Sequence, residues 1–294
     1  MKEIFVLGSI NYDMVVCTDH FPVSGETTNG YGFLGNSGGK GANQAVAISK
    51  FGGNGHLIGR VGNDTFGEVC LSSLKNFGVD TTFVEKSQCN TGVAVIIIHN
   101  GDNRIILDHG ANYCMQAQEV QSVLRKNLRE GDIFVTQMEV SADCVETALQ
   151  TAKQCGAITL FNPAPARGVT DAMLASADVV LPNESEAESI TGIAFENKQS
   201  LDEMKKWFNN KGVKHVIITL GDKGCYCDGE ILPVQKVNVV DTTAAGDTFV
   251  GALAVMLSQG KTIRESLDFC QKASAITIQR KGAQISIPYL EELK

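Results

Sequence analysis

A single tryptophan, only six prolines and an aromatic share of 6% leave this 294-residue chain with few of the residues that mark Pro-rich linkers or aromatic binding surfaces. No long apolar run is present. The longest stretches, Val93 to Ile98 and Ala252 to Leu257, fall far below the roughly 20 residues needed to span a bilayer, so no membrane partner is expected. The start, Met1-Lys2-Glu3-Ile4-Phe5-Val6-Leu7-Gly8, lacks a signal-peptide apolar segment and cleavage site and reads as a first strand ending in a turn; a cytoplasmic protein is expected. There is no basic excess either. The net charge of −8 argues against nucleic acid, whose phosphate backbone calls for a basic surface. Nine cysteines, an odd number without repeating spacing, make no disulfide framework and are expected as buried thiols. Cys225 and Cys227 are spaced for alternation along a strand rather than as a C-x-x-C metal or redox pair, and the five histidines show no H-E-x-x-H or other ligand spacing. A G-x-x-x-x-G-K-[ST] loop is missing, as is a G-x-G-x-x-G after the first strand, which excludes P-loop chemistry and disfavours an NAD-binding dehydrogenase.

What remains is an ordinary globular composition, 43% hydrophobic and 20% charged, which sets disorder aside and points to a diffusing small molecule as partner. Over the C-terminal two-thirds, short β-rich runs alternate with helical patterns, the mark of βαβ units around a parallel sheet. Asp132 to Gln137 and Ile158 to Asn162 bracket Val145, Ala148, Leu149, Ala152 and Cys155, which recur at helical spacing. Further strands are expected at Asp178 to Leu181 and His215 to Leu220, each entering a polar turn of the kind where open α/β sheets hold ligands. Between Asn11 and Gly39 the chain is rich in Gly, Thr and aromatics without helical period, and Gly92 to Asn112 reads as a hairpin about Asn100-Gly101-Asp102. The expected architecture is α/β, a doubly wound and mainly parallel sheet flanked by helices, in one domain over residues 1–294, with a small β-sheet lid from segments within about 11–39 and 92–112. No internal repeat or linker argues for a division.

Four clusters could carry chemistry. Asp241-Thr242-Thr243-Ala244-Ala245-Gly246-Asp247-Thr248-Phe249 precedes a small-residue, apolar helix from Gly251 to Leu257. Small residues let backbone approach a phosphate, the first helical N–H groups are unpaired, and the macrodipole favours negative charge there, with Asp247 in reach of whatever is held. A plain helix-start carboxylate is the alternative, but Ala-Ala-Gly is hard to explain by capping. Asn183-Glu184-Ser185-Glu186 opens a helix after a strand and reads equally as a capping box or as a site for a metal-bound water or phosphate. In Gly38-Gly39-Lys40-Gly41-Ala42-Asn43 the glycines permit close approach to a ligand with Asn43 beside it; a tight turn with Lys40 in solvent is the other reading. Gly8-Ser9-Ile10-Asn11-Tyr12-Asp13 ends the first strand, where amide and carboxylate serve either as turn formers or as polyol contacts.

Taken in order, these segments resemble the PfkB family of carbohydrate and nucleoside kinases, to which the ribokinases belong. The resemblance covers nearly the whole chain, adding Gly59-Arg60-Val61-Gly62-Asn63-Asp64, Asn162-Pro163-Ala164-Pro165-Ala166, Pro182-Asn183-Glu184-Ser185-Glu186-Ala187-Glu188, Thr219-Leu220-Gly221 and Arg280-Lys281-Gly282-Ala283-Gln284 to the clusters above. It implies a sugar pocket from Asn11, Asp13, Gly38, Gly39, Lys40, Asn43 and Glu139, with Asp247 as catalytic base and Ala244, Ala245 and Gly246 as an anion hole. It implies ATP as phosphoryl donor, magnesium and phosphate supported through water by Asn183 and Glu186, and nucleotide contacts from Thr219, Gly221 and Gly246. A monovalent cation, potassium, would lie at Asp241, Thr243, Thr277, Arg280, Gly282 and Ser286, and a homodimer would form through the β lid. The implied reaction is transfer to the primary hydroxyl of a pentose, foremost O5 of D-ribose, the alternatives being deoxyribose, a nucleoside or another sugar. A catalytically silent sugar sensor would be expected to lose Gly246 or Asp247, and both are present. Two departures bear on substrate: Tyr12 stands where a small residue is common, and Cys270-Gln271-Lys272 replaces an Ala-rich run near the adenine.

Overall fold

The computed structural model describes residues 1–100 and 102–293. Along the chain run β1 (Ile4–Leu7), β2 (Asn11–Thr18), β3 (Gly30–Gly38), α1 (Lys40–Lys50), β4 (Gly55–Gly62), α2 (Thr65–Asn76) and β5 (Asp80–Ser87). There follow β6 (Gly92–His99), β7 (Asp102–Asp108), α3 (Ala117–Asn127), β8 (Ile133–Thr136), α4 (Ala142–Gln154), β9 (Ile158–Phe161), α5 (Asp171–Ser176) and β10 (Val179–Val180). The last third holds α6 (Glu184–Thr191), α7 (Lys198–Asn210), β11 (His215–Thr219), β12 (Cys225–Cys227), β13 (Glu230–Leu232), α8 (Ala245–Ser258) and α9 (Ile263–Thr277).

The larger sheet has nine strands in the order β13-β12-β11-β10-β9-β8-β1-β4-β5. Pairing is parallel from β5 through to β11, and the two edge strands β12 and β13 return antiparallel. Period-2 alternation splits each strand between two apolar layers. On β1, Ile4 and Val6 pack with Val46 and Ile48 of α1 and with Leu253 and Val255 of α8, whereas Phe5 and Leu7 face the layer built on α3 to α7. Both faces are therefore covered, which is why the central strands read as continuous apolar runs. Helices α1 and α8 approach closely because Gly251 has no side chain: a Cβ there would lie 3.0 Å from the Gln44 carbonyl oxygen. That contact brings the first turns of both helices to the same point.

The smaller sheet, ordered β3-β2-β6-β7, is the expected β excursion. β2 pairs with β3 antiparallel and with β6 parallel, so Asn11 lies across from both Gly38 and Gly92. The hairpin of β6 and β7 is present from Val93↔Asp108 to His99↔Asp102; of its expected turn, Gly101 is outside the described residues.

β1 joins the main sheet as the first strand expected from the sequence, and β4, β5 and α2, which the sequence did not single out, join it as well. Glycine, histidine and arginine in Gly55–Gly62, and the half-exposed pattern of the edge strand Asp80–Ser87, hid β4 and β5. One expectation needs correction. The cysteines are not all thiols: Cys89 and Cys114 form a disulfide. The β6–β7 hairpin leaves and returns at one place, where the Ala111 N–H donates to the Asn90 carbonyl at 2.7 Å, and this juxtaposition is invisible in the spacing. Cys70, Cys144, Cys225, Cys227 and Cys270 are buried free thiols, as expected, and Cys225–Cys227 is a strand. Among the described residues no helix is long and apolar enough to cross a membrane.

Candidate active site

In the large sheet the strand order reverses direction at β1, which has β4 on one side and β8 on the other. At such a switch point the strand C-termini splay and leave a crevice. Into it run the segment after β1, Gly8 to Asn11, and the segment after β8, Gln137 to Glu139. The first turns of α1 and α8 converge above them.

Asp247 sits in the first turn of α8 and is buried, 6% exposed. Both carboxylate oxygens are engaged: Asn43 Nδ2 donates to Oδ2 at 2.9 Å, and Gln44 Nε2 donates to Oδ1 at 3.0 Å. Burial pushes its pKa up, opposed by the Lys40 ammonium and by the Asn43 and Gln44 amides, with the charge of Glu139 adding to the rise. Asn43 Oδ1 is buried with no partner among the described residues, an acceptor open to a hydroxyl. Glu139 Oε2 accepts from Ser9 Oγ at 2.6 Å and from the Lys40 N–H at 3.1 Å, fastening the start of α1 to the ends of β1 and β8.

Asn11 and Asp13 share one face of β2. Asn11 is held by Asn112, whose Nδ2 donates to Asn11 Oδ1 at 2.7 Å. Burial first, and then the charges of Glu139 and Asp247, raise the pKa of Asp13 to about 7. Gly38 is required beneath it, because a Cβ would collide with the Asp13 carboxylate; Gly39 takes φ 90° with Ser9 O and Asn11 N both 2.8 Å from where a Cβ would stand. Tyr12 points to the opposite face of β2 and stacks on Phe66 of α2 at 4.4 Å, so its ring does not line the crevice.

Lys40 is half-buried rather than free in solvent. Burial alone would lower its pKa, but the carboxylates of Asp247, Glu139 and Glu186 outweigh that and raise it. No carboxylate comes within 4.0 Å of its ammonium among the described residues, so the charge faces an acidic crevice without being tied to any one group. Glu186 feels the same assembly: burial raises its pKa, against the Asn183 N–H and Lys40. Asn183 and Glu186 form the capping box read from the sequence, each N–H donating to the other's side chain at 2.8 Å. One Glu186 oxygen is left over for a further ligand.

The start of α8 has the character of an anion site. Ala244 adopts φ 61°, a conformation unusual for alanine, and turns the chain so that the helix begins at Ala245. The Ala245 N–H makes a long 3.3 Å bond to the Thr242 carbonyl, whereas the Gly246 and Asp247 N–H groups have no acceptor among the described residues. A Cβ at Gly246 would meet open space. Across the crevice, Thr219 bridges to Asn183, and Gly221 (φ 55°) turns beside it, also facing open space. A cavity of about 250 Å³ follows, lined by Pro233, Gln235, Gln271, Lys272 and Ala275. Its Gln271 belongs to the second sequence departure, and Gln271 Oε1 is buried without a partner. A larger cavity of about 530 Å³ opens at the N-terminal ends of β9, β10 and β11, near Ile158, Val179 and His215, the end of a parallel sheet away from its ligand crevice.

The expected cation residues gather beside α8. Asp241 Oδ1 accepts from the Thr243 N–H and hydroxyl at 2.9 and 2.6 Å, and Oδ2 accepts from the Gly282 N–H at 2.9 Å. Burial raises the Asp241 pKa, but these hydrogen bonds win and hold it below the usual carboxylate range. Thr277 meets Thr248 of α8 through their hydroxyls at 3.1 Å, and its carbonyl accepts from the Arg280 N–H. The Arg280 guanidinium turns away to pair with Glu292, so Arg280 can contribute only its backbone carbonyl, while the Ser286 hydroxyl donates to the Ala283 carbonyl and keeps its oxygen lone pairs.

Sequence reasoning gave no role to Gln44, Gln137, Asn162 or Asn112, although they are among the buried polar groups nearest the crevice. Asn162 entered only as the first residue of a resemblance segment, and Gln137, Asn162 and Asn112 are 68 to 118 positions from Gln44, so their meeting cannot be read locally.

Comparison with known proteins agrees with this geometry. The family model described as pfkB family carbohydrate kinase matches residues 1–290. Ribokinase of Schizosaccharomyces pombe is 40% identical over 309 residues, covering 100% of this chain and 97% of that protein; ribokinase of Haemophilus influenzae is 38% identical over 297 residues, covering 99% and 97%. The solved structure of Arabidopsis thaliana ribokinase complexed with ribose and ATP superposes with a TM-score of 0.89 at 29% identity, covering 99% of this chain and 97% of that one.

Proposed function

The chain belongs to the pfkB family of carbohydrate kinases, and from that premise we propose that it transfers the γ-phosphoryl group of ATP to O5 of D-ribose. It is a phosphotransferase with an alcohol group as acceptor. The single observation that carries the proposal is a buried carboxylate, Asp247, standing one residue from the open Gly246 N–H at a helix start and facing the polyol-binding groups of β2 and α1.

Asp13, the Gly39 N–H and Asn43 Oδ1 hold sugar hydroxyls, and Asn11 and Glu139 close the pocket. Asp247 takes the proton from the hydroxyl to be phosphorylated; burial makes it a stronger base than an exposed aspartate, and its two amide partners aim it. The Gly246 and Asp247 N–H groups, with the α8 dipole, receive the charge on the transferring group, and the unpaired Lys40 ammonium adds to it. Asn183 and Glu186 would support a magnesium ion through water, and magnesium bound there would neutralise phosphate charge on the nucleotide. The cavity beside Gln271 takes the nucleobase. The β2-β3-β6-β7 sheet acts as a lid over the sugar and excludes water when closed. The whole chain acts as one domain, and its lid, with Tyr31, Phe33 and Ile106 exposed, pairs with a second copy in a homodimer.

A potassium site fits the cluster at Asp241, because an ionised carboxylate and turn carbonyls are hard oxygen donors. Thr243 and Thr277 join that cluster to α8, so cation binding would steady the anion hole. Turnover in potassium is expected to exceed turnover in a bulky organic cation; equal rates after thorough desalting would remove the site from the account. The proposal as a whole is tested by ADP release from ATP with D-ribose, 2-deoxy-D-ribose, a ketohexose and adenosine in one assay. D-ribose should give the highest kcat/KM, and a nucleoside or ketohexose ranking first would overturn the ribose assignment.

A further inference from the structure

Behind Asp247 lies a chain of buried carboxamides. Gln44, on α1, is 0% exposed, and its side chain has every hydrogen-bonding atom engaged. One Nε2 proton goes to Asp247 Oδ1 at 3.0 Å and the other to Asn162 Oδ1 at 3.2 Å, while Oε1 accepts from Gln137 Nε2 at 2.5 Å. These partners fix the orientation of the amide: reversed, its oxygen would face two acceptors and its nitrogen a donor. Gln137 is held by this one hydrogen bond to Gln44 and by packing, so tightly under the end of β1 that a Cβ at Gly8 would collide with its carboxamide, while its Oε1 is buried without a partner among the described residues. Asn162 is anchored by donating Nδ2 to the Leu181 carbonyl at 2.7 Å.

We propose that Gln44, oriented by Gln137 and Asn162, is the positioning residue of the catalytic base: its N–H fixes the rotation of the Asp247 carboxylate and keeps it ionised inside the crevice. Asn43 cannot do this alone, because it engages only Oδ2 and its other end faces the sugar pocket. With Oδ1 unheld, the carboxylate is free to turn and to take up a proton. The proposal rests on Asp247 being the base. The charged groups that act on Asp247 or feel its charge are Lys40 of α1, Glu139 after β8, Asp13 of β2 and Glu186 of α6.

A hydrogen bond donated to the ionised form lowers a pKa, so removing it raises the pKa and moves the loss of activity on the acid side to higher pH. The experiment compares kcat at saturating D-ribose from pH 5 to 9 for the unaltered protein, Gln44→Met, Gln137→Met and Asp247→Asn. Saturating sugar confines the titration of Asp13 to KM. Gln44→Met should lower the plateau kcat about ten- to hundredfold with KM for D-ribose nearly unchanged, as misplacement of a reacting group does. Its acid limb should move up by about one pH unit, the value of one hydrogen bond to a charged group. Gln137→Met leaves every group bonded to Asp247 in place and should show the same two changes at smaller size; it carries the test if Gln44→Met fails to fold. An acid limb that stays where it was, whether or not kcat falls, reduces Gln44 to a packing residue and overturns the proposal. Substantial turnover by Asp247→Asn would instead bring down the assignment of the base, so the two failures are distinct.

Discussion

Asp247→Asn is expected to lower kcat by about 10²–10⁴-fold while leaving D-ribose affinity close to that of the unaltered protein. The substitution preserves shape in a fully packed site, and it removes a buried charge whose pKa burial already pushes up, so the fold has no reason to suffer. What is lost is the capacity to take a proton. One of the two present donors, Asn43 or Gln44, must then face the new amide nitrogen, which costs part of the alignment; with the nitrogen toward Gln44, the sugar contact from Asn43 Oδ1 is kept. In the unaltered protein turnover should fall with falling pH as Asp247 takes up a proton, and the asparagine variant should lack that dependence. A kcat near the original would end the base assignment.

Asp13→Asn should separate stability from binding. Folded Asp13 has its pKa raised from 3.8 to about 7, so the folded protein holds this proton more tightly than the unfolded chain. Stability from this group is therefore present at low pH and lost as pH climbs from about 4 to about 7. Asparagine cannot ionise, so the variant should melt several degrees higher than the unaltered protein at pH 8, with the difference shrinking as pH falls and closing below about pH 4. At the same time KM for D-ribose should rise at least about tenfold, because a carboxylate accepting from two hydroxyls is replaced by an amide with one acceptor oxygen. For the unaltered protein the same titration makes sugar binding weaken below about pH 7. Unchanged melting at pH 8 would show that Asp13 is not desolvated, and unchanged KM would remove it from the sugar pocket.

The parts of the fold legible in the sequence are those fixed by local chemistry. The βαβ unit from Ile133 to Phe161, the strand at His215–Thr219, the β6–β7 hairpin and the capping box at Asn183 each follow from periodicity or turn residues that act within a few positions. The site clusters were legible for the same reason, since an Ala-Ala-Gly-Asp helix start or a Gly-Gly turn is a backbone requirement written locally. Strands β4 and β5 were hidden because edge and near-edge strands carry polar residues that blur alternation. The Cys89–Cys114 bridge and the Gln137–Gln44–Asp247 chain were hidden for another reason: they join residues 25, 93 and 203 positions apart, and only the assembled sheet makes them neighbours. Lys40 shows the same limit. Its spacing allowed solvent as readily as substrate, and what decides is the ring of Asp247, Glu139 and Glu186, one residue from each of three distant elements.

The most direct test of transfer to O5 with Asp247 as base is the product itself. The unaltered protein and Asp247→Asn are incubated with ATP, magnesium and either D-ribose or 2-deoxy-D-ribose, and the phosphorus NMR spectrum is followed in time. Phosphate should appear on O5 of D-ribose in step with ADP, with kcat/KM at least about tenfold above that for 2-deoxy-D-ribose, a difference of roughly 1.4 kcal/mol, and Asp247→Asn should form almost none. Phosphate on another hydroxyl, a preference for the deoxy sugar, or comparable product from Asp247→Asn would contradict it.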